Sequence, residues 1–188
     1  MARPRSDDKR NAIMSAAIRV IASQGLGAAT ATIAMEAGVS NGSLFTYFET
    51  KADLLNQLYL DLKEEVAAAA LDGLPAGRDI RKQMLHMWSQ WLRWAMAHPE
   101  KRRTLAHLGV SGDITPDSLQ SGHQKMASVA KLLERSRENG PMRDAPLGFV
   151  LALTSALAEA TIDFTIRDPG NADKHRQAAF DALWRMIT

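Results

Sequence analysis

A chain of 188 residues, 46% of them hydrophobic and 23% charged, carries enough apolar material for one sizeable core or two small ones, which sets disorder aside. Cysteine is absent, and with it a disulfide framework, a thiolate zinc site, a thiol nucleophile and a cysteine redox switch. The net charge of +2 does not by itself announce nucleic-acid binding, and no uninterrupted apolar run approaches the ~20 residues of a membrane helix.

Arg3, Arg5, Lys9 and Arg10 form a basic arm at the start, where the apolar stretch of a signal peptide is missing, so a cytoplasmic location with no membrane partner is expected. A first helix is predicted from Ser6, with Asp7 and Asp8 in its positive first turn; it buries Ile13, Ala17, Val20 and Ile21 and stops at Gly25. The second begins near Thr30, a residue suited to the N-cap, and ends at Gly38, which tolerates the left-handed backbone of a tight turn. The third is short, from about Asn41 to Phe48. Thr50 to Asp53 reads as a capping box opening a long fourth helix, on which Leu54, Leu55, Leu58, Leu62 and Val66 follow at helical spacing. The clearest break in the chain, Leu71 to Gly77, marks the boundary between an N-terminal and a C-terminal unit. A fifth helix places Ile80, Met84, Trp88, Trp91 and Ala95 on one stripe and ends before His98; a sixth runs from Pro99 to Leu108. A seventh starts at Pro116, carries Leu119, Met126, Val129 and Leu133, and stops at Asn139-Gly140-Pro141. The eighth runs from about Pro146 to Ile166 and the ninth from about Asn171 to Ile187. No segment alternates convincingly, so the fold class is all-α, with about nine helices.

Thr30 to Phe48 is the most informative stretch. A helix-turn-helix needs a small residue where two helices cross, a glycine in the turn, and apolar residues pinning the second helix to the first. Ala34, Gly38, Val39, Leu44 and Phe48 meet those needs in order. The pattern Thr30-Ala31-Thr32-Ile33-Ala34-Met35-Glu36-Ala37-Gly38-Val39-Ser40-Asn41-Gly42-Ser43-Leu44-Phe45-Thr46-Tyr47-Phe48, followed by Lys51, Asp53, Leu54 and Leu55, resembles the signature of the TetR family of transcriptional regulators. The resemblance covers the first quarter to third of the chain in detail; the remainder agrees in length and helical punctuation.

The resemblance implies a ligand-responsive regulator, a repressor released from a palindromic double-stranded operator by a small-molecule inducer. Residues 1–50 are then the three-helix DNA-binding domain, 51–72 the connecting fourth helix, and 73–188 a helical ligand-binding and dimerisation bundle. Carried over by position, Thr30, Tyr47 and Lys51 grip phosphates, while Ser40, Asn41, Gly42, Ser43 and Thr46 line the face presented to the major groove. Hydroxyls, cations and free helix N-terminal N–H groups suit phosphates, and short polar side chains suit base edges. Phe45 stands where the family often has tyrosine; it either touches a thymine methyl or fills the core. An alternative from another class is an all-α carrier of small molecules with a degenerate helix-turn-helix.

Other chemistry finds little support. Gly38-Val39-Ser40-Asn41-Gly42 matches the G-x-S-x-G of a hydrolase nucleophile elbow, but an elbow needs a strand before the serine and a helical segment precedes this one. Asn41-Gly42-Ser43 is formally a glycosylation sequon, without meaning in the cytoplasm. The five histidines show no metal-ligand spacing and no glycine-rich loop cradles phosphate, so a non-enzyme without metal or cofactor is expected.

The fifth helix concentrates Met84, Met87, Trp88, Trp91, Trp94 and Met96, which suits a dense core or a pocket for a flat apolar ligand. Since the resemblance puts ligand cavities among helices five to eight, Met84, Trp88, Trp91, Met126 and Phe164 are candidate lining for an apolar or amphipathic effector, with His107 and His123 as polar candidates. The eighth helix is apolar nearly all round, from Leu147, Phe149, Val150 and Leu151 to Leu153, Leu157, Ile162 and Phe164. The ninth adds Phe180, Leu183, Trp184 and Ile187, and the two together are the expected homodimer interface, as the resemblance also implies. Glu159 and Asp163, one turn apart, either line a solvated edge or receive a cationic ligand.

Overall fold

The computed structural model describes residues 3–188, with side chains from residue 7 onward. The side chains of Arg3 and Arg5 in the basic arm, and that of Ser6 as first cap, therefore lie outside the described residues. Every regular element among those described is helical: α1 Arg3–Gln24, α2 Thr30–Glu36, α3 Asn41–Tyr47, α4 Lys51–Leu71, α5 Ile80–Ala97, α6 Pro99–Gly109, α7 Pro116–Lys125, α8 Ala127–Arg137, α9 Leu147–Arg167 and α10 Ala172–Ile187. The first helix begins at Arg3, before the expected Ser6; Pro4 is no obstacle, because the first turn has no intrahelical use for its N–H.

The helices pack as two compact units. One comprises the chain up to Glu65 together with His98–Lys125. Its core holds Ile13, Ala17 and Ile21 of α1, Ile33 and Ala34 of α2, Leu44 of α3 and Leu54, Leu55, Leu58 and Leu62 of α4, all but closed to solvent. Thr104 on α6 donates its hydroxyl to the Ile18 carbonyl of α1 at 2.9 Å, and Lys101 pairs with Glu65 at 2.7 Å. Buried Asn56 on α4 fastens the loop between α6 and α7: its amide donates to the Asp113 carbonyl at 2.8 Å and its oxygen accepts the Thr115 N–H at 2.9 Å. On α7, Gly122 comes so close to α4 that an added Cβ would lie 2.6 Å from the Tyr59 ring.

The second unit comprises Val66–Ala97 and Met126–Thr188. Met84, Trp88 and Leu92 of α5 pack with Val150, Ala158 and Ile162 of α9 and Phe180, Leu183 and Ile187 of α10 in its buried interior. The Trp88 indole donates to the Arg176 carbonyl at 3.3 Å, and the buried Arg137 guanidinium closes the turn after α8 by donating to the carbonyls of Arg143 at 3.2 Å and Ala145 at 2.6 Å. Gly140 sits against the C-terminus, where a Cβ would meet the Ile187 carbonyl oxygen.

Two expectations change. The seventh predicted helix is two, α7 and α8, interrupted at Met126 (φ −88°, ψ 2°). The break coincides with the change of packing unit, and no glycine or proline signals it. Leu119, an apolar member of that predicted helix, is exposed. Phe180, Leu183 and Ile187 of α10, expected at a subunit interface, are wholly consumed by their own chain's core. By length and composition α9 is apolar enough to cross a membrane, yet Val150, Thr154, Ala158, Thr161 and Ile162 form a buried line along it, as on the core helix of a folded domain. Its opposite side leaves Phe149 and Phe164 exposed.

Candidate nucleic-acid interface

The turn between α2 and α3 is built by Gly38. At φ +69° it occupies the left-handed region that a side chain disfavours. There its N–H reaches the Met35 carbonyl at 3.1 Å while that of Val39 reaches Ala34 at 2.9 Å, the paired bonds of a Schellman ending. Val39 turns inward against the core, and Ala34, fully buried, lets the helices approach. α2 is entered through Ala29, whose backbone is extended and which supplies no side-chain cap; Thr30 is the first helical residue, half-buried, rather than the expected cap.

α3 is capped by Ser40, whose hydroxyl oxygen accepts the Ser43 N–H at 3.1 Å. Leu44 and, just beyond the helix, Phe48 are fully buried, which fixes the helix's rotation. Asn41, Gly42, Phe45 and Thr46 consequently face solvent, with Ser43 and Tyr47 half-buried at the edges. The Thr46 hydroxyl rests on the Gly42 carbonyl at 3.4 Å. Gly42 has an ordinary φ, and an added Cβ would meet nothing within 4 Å. Nothing inside the chain calls for glycine at this helical position, where alanine is the better helix former. The open space lies on the outside.

The surrounding contacts hold this helix pair rigidly to α1 and α4. Thr50 accepts the Asp53 N–H at 3.0 Å, and Asp53 reaches back to the Glu49 N–H at 3.1 Å, so the capping box forms with its return bond one residue early. Asp53 also accepts from Gln57 at 2.8 Å, and Gln57 accepts from Arg10 at 2.9 Å. Arg10 lies 5.7 Å from the centre of the Phe48 ring, so this member of the basic arm is engaged within the fold. Arg19 pairs with Glu36 across α1 and α2 at 2.7 Å. Lys51 donates to the Leu26 carbonyl at 2.5 Å, which brings its cation to the loop entering α2 and leaves it two further N–H donors.

The structure thus gathers Ser40, Asn41, Gly42, Ser43 and Thr46 on or beside one face of α3, with Tyr47 at its end and Thr30 and Lys51 at the starts of α2 and α4. The sequence carried no sign of the exposure of Met35, 76% open on α2, or of the Arg10–Gln57–Asp53 chain, which forms only when α1 packs against α4.

The candidate effector residues differ in burial. Met84 and Trp88 are buried core, Trp91 and Met126 half-buried, and Phe164 exposed; His107 and His123 are exposed and belong to the other packing unit. Within the second unit a small cleft of about 20 Å³, room for about one water molecule, is lined by Leu92, Met96, Thr161, Ile162, Thr165, Ala172 and Arg176, none of them among the candidate lining residues. Among the described residues no group of three or more His, Asp or Glu is placed to hold a metal ion.

Residues 13–58 match the family described as bacterial regulatory proteins, tetR family. Over the whole chain the structure is similar to that of a protein of Shewanella sp. PV-4 described as a tetR family transcription regulator, with 29% identity and a TM-score of 0.82 over 94% of this chain and 96% of that one. A TetR family transcription regulator of Marinobacter aquaeolei VT8 matches at 24% identity and a TM-score of 0.83, covering 98% of each chain. The TetR-like regulator LfrR of Mycobacterium smegmatis, solved in complex with proflavine, matches at 20% identity and 0.68 over 96% of this chain and 98% of that one.

Proposed function

Because the chain belongs to the TetR family of bacterial regulatory proteins, we propose that it is a cytoplasmic, homodimeric repressor that holds a roughly palindromic operator and releases it when a small molecule binds. The observation that carries this reading is the outer face of α3: polar but for Phe45, locked in rotation by Leu44 and Phe48, and interrupted by a glycine for which the fold has no use. A helix of that description lies in a major groove with its backbone close to the base edges.

In this reading Asn41, Gly42, Ser43 and Thr46 face the bases, with Ser40 beside them holding the helix start. Thr30, Tyr47 and Lys51 hold phosphates on either side. Residues 1–50 bind DNA, 51–72 connect, and 73–188 bind effector and dimerise. The open side of α9 supports the dimer, since Phe149, Ala152, Ala156, Ala160 and Phe164 are all exposed along it. The effector is small and apolar or amphipathic. The proflavine complex of the Mycobacterium smegmatis protein supports an organic ligand by likeness of fold; the second unit's small cleft, mostly apolar with one guanidinium, has to widen to admit one. Two recognition helices about 34–36 Å apart meet successive grooves, and the effector acts by changing that spacing. No reaction is assigned to the chain.

Fluorescence anisotropy with the DNA upstream of the protein's own gene, against scrambled DNA of equal length at near-physiological salt, tests the reading. Specific regulators prefer their site by ~10³-fold or more. Equal, weak binding to every fragment in a genome-wide selection would overturn it.

A further inference from the structure

Phe45 is 40% exposed in the middle of the solvent-facing side of α3. Among the described large hydrophobic residues left exposed in its packing unit it is the only aromatic; the others are Met35, Val110 and Leu119. Its neighbours one turn back are Asn41 and Gly42, both exposed. A helical side chain leans toward the N-terminus over positions i−3 and i−4. Phe45 thus shares the open face of α3 with Gly42, where an added Cβ would meet nothing within 4 Å. Leu44 and Phe48 already fill the core, so Phe45 is not needed there.

A phenyl group carries neither donor nor acceptor, so pressed against a polar base edge it strips water from groups it cannot satisfy. In the major groove only thymine offers an apolar patch, its C5-methyl group. Resting on the reading of α3 as the recognition helix, we propose that Phe45 is a specificity-determining residue that selects thymine in each operator half-site through that methyl group. Burial of one methyl per half-site corresponds to about fourfold in affinity, and about tenfold or somewhat more across a two-fold symmetric site.

The test uses a double-stranded fragment that the protein itself selects from a random pool, prepared once with thymine and once with deoxyuridine, which pairs identically but lacks the methyl. Wild-type protein is expected to bind the deoxyuridine fragment about tenfold more weakly. Phe45→Ala should bind both fragments equally, and Phe45→Leu should regain part of the difference; the exposure of Phe45 lets both variants keep the native helical signal. Equal wild-type affinity for both fragments overturns the proposal while leaving operator binding intact. Discrimination that persists in Phe45→Ala also overturns it, and points to Met35 instead. If no fragment is selected at all, the recognition reading fails first and takes this one with it.

Discussion

Two glycines four positions apart separate folding from function at the scale of single residues. Gly38 holds φ +69°, where a Cβ is strained whatever space surrounds it. Gly42 has an ordinary φ and open space. Gly38→Ala should cost about 1–2 kcal/mol, lowering the thermal midpoint and operator affinity together. Gly42→Ala should leave stability unchanged or raise it by up to ~1 kcal/mol, yet weaken operator binding about tenfold or more. Thermal melts read beside anisotropy decide this: a Gly42→Ala variant with full affinity would remove the argument for close backbone approach. Both glycines were visible in the sequence, but only their backbone angles and surroundings show that one serves the turn and that nothing in the fold calls for the other.

At the level of elements, the helix ends and the loops between them decide how firmly α3 is presented. Asn56 joins α4 to the 113–115 loop through both ends of its amide while buried. Asn56→Ala removes both bonds that tie this loop to α4 and should cost about 1–2 kcal/mol in urea unfolding, whereas a surface alanine substitution should cost little. The helix entries also carry a pH dependence. Asp79 accepts the Lys82 N–H at 3.0 Å at the start of α5, and chiefly that bond holds its carboxyl below the ordinary 3.8. Asp168 is lowered in the same direction, first by the Asn171 amide and then by His175. A depressed carboxylate stabilises the fold above its unfolded pKa and loses that contribution as pH falls through the folded value. Stability should therefore decline as pH drops below about 3.8, and Asp168→Ala should remove part of the decline. A wild-type acid profile unchanged by the substitution would count against these contacts.

For the molecule as a whole, the open side of α9 is the place to test assembly. Ala156 lies at its middle with Phe149 and Ala160 on the same stripe, while the buried line runs down the opposite side. Ala156→Arg should yield a folded monomer in sedimentation velocity and a loss of operator affinity, because two recognition helices bind only when held together. A dimer that survives this substitution would place the interface elsewhere. Sequence alone determined the all-helical class, nearly every helix boundary, and the helix-turn-helix with its glycine and its apolar anchors, because periodicity, capping and turn chemistry are local and written within a few residues. Tertiary structure decided the rest. It broke the seventh helix at Met126, where the chain changes packing unit without a glycine or proline to mark it. Met84, Trp88 and the apolar face of α10 went into the core, although an apolar stripe reads the same whether its cover is the same chain, a ligand or a second copy. Arg10 turned from a basic arm toward Gln57 and Phe48. Each of these outcomes depends on what lies across from a side chain, and that is set by contacts between residues far apart in the chain.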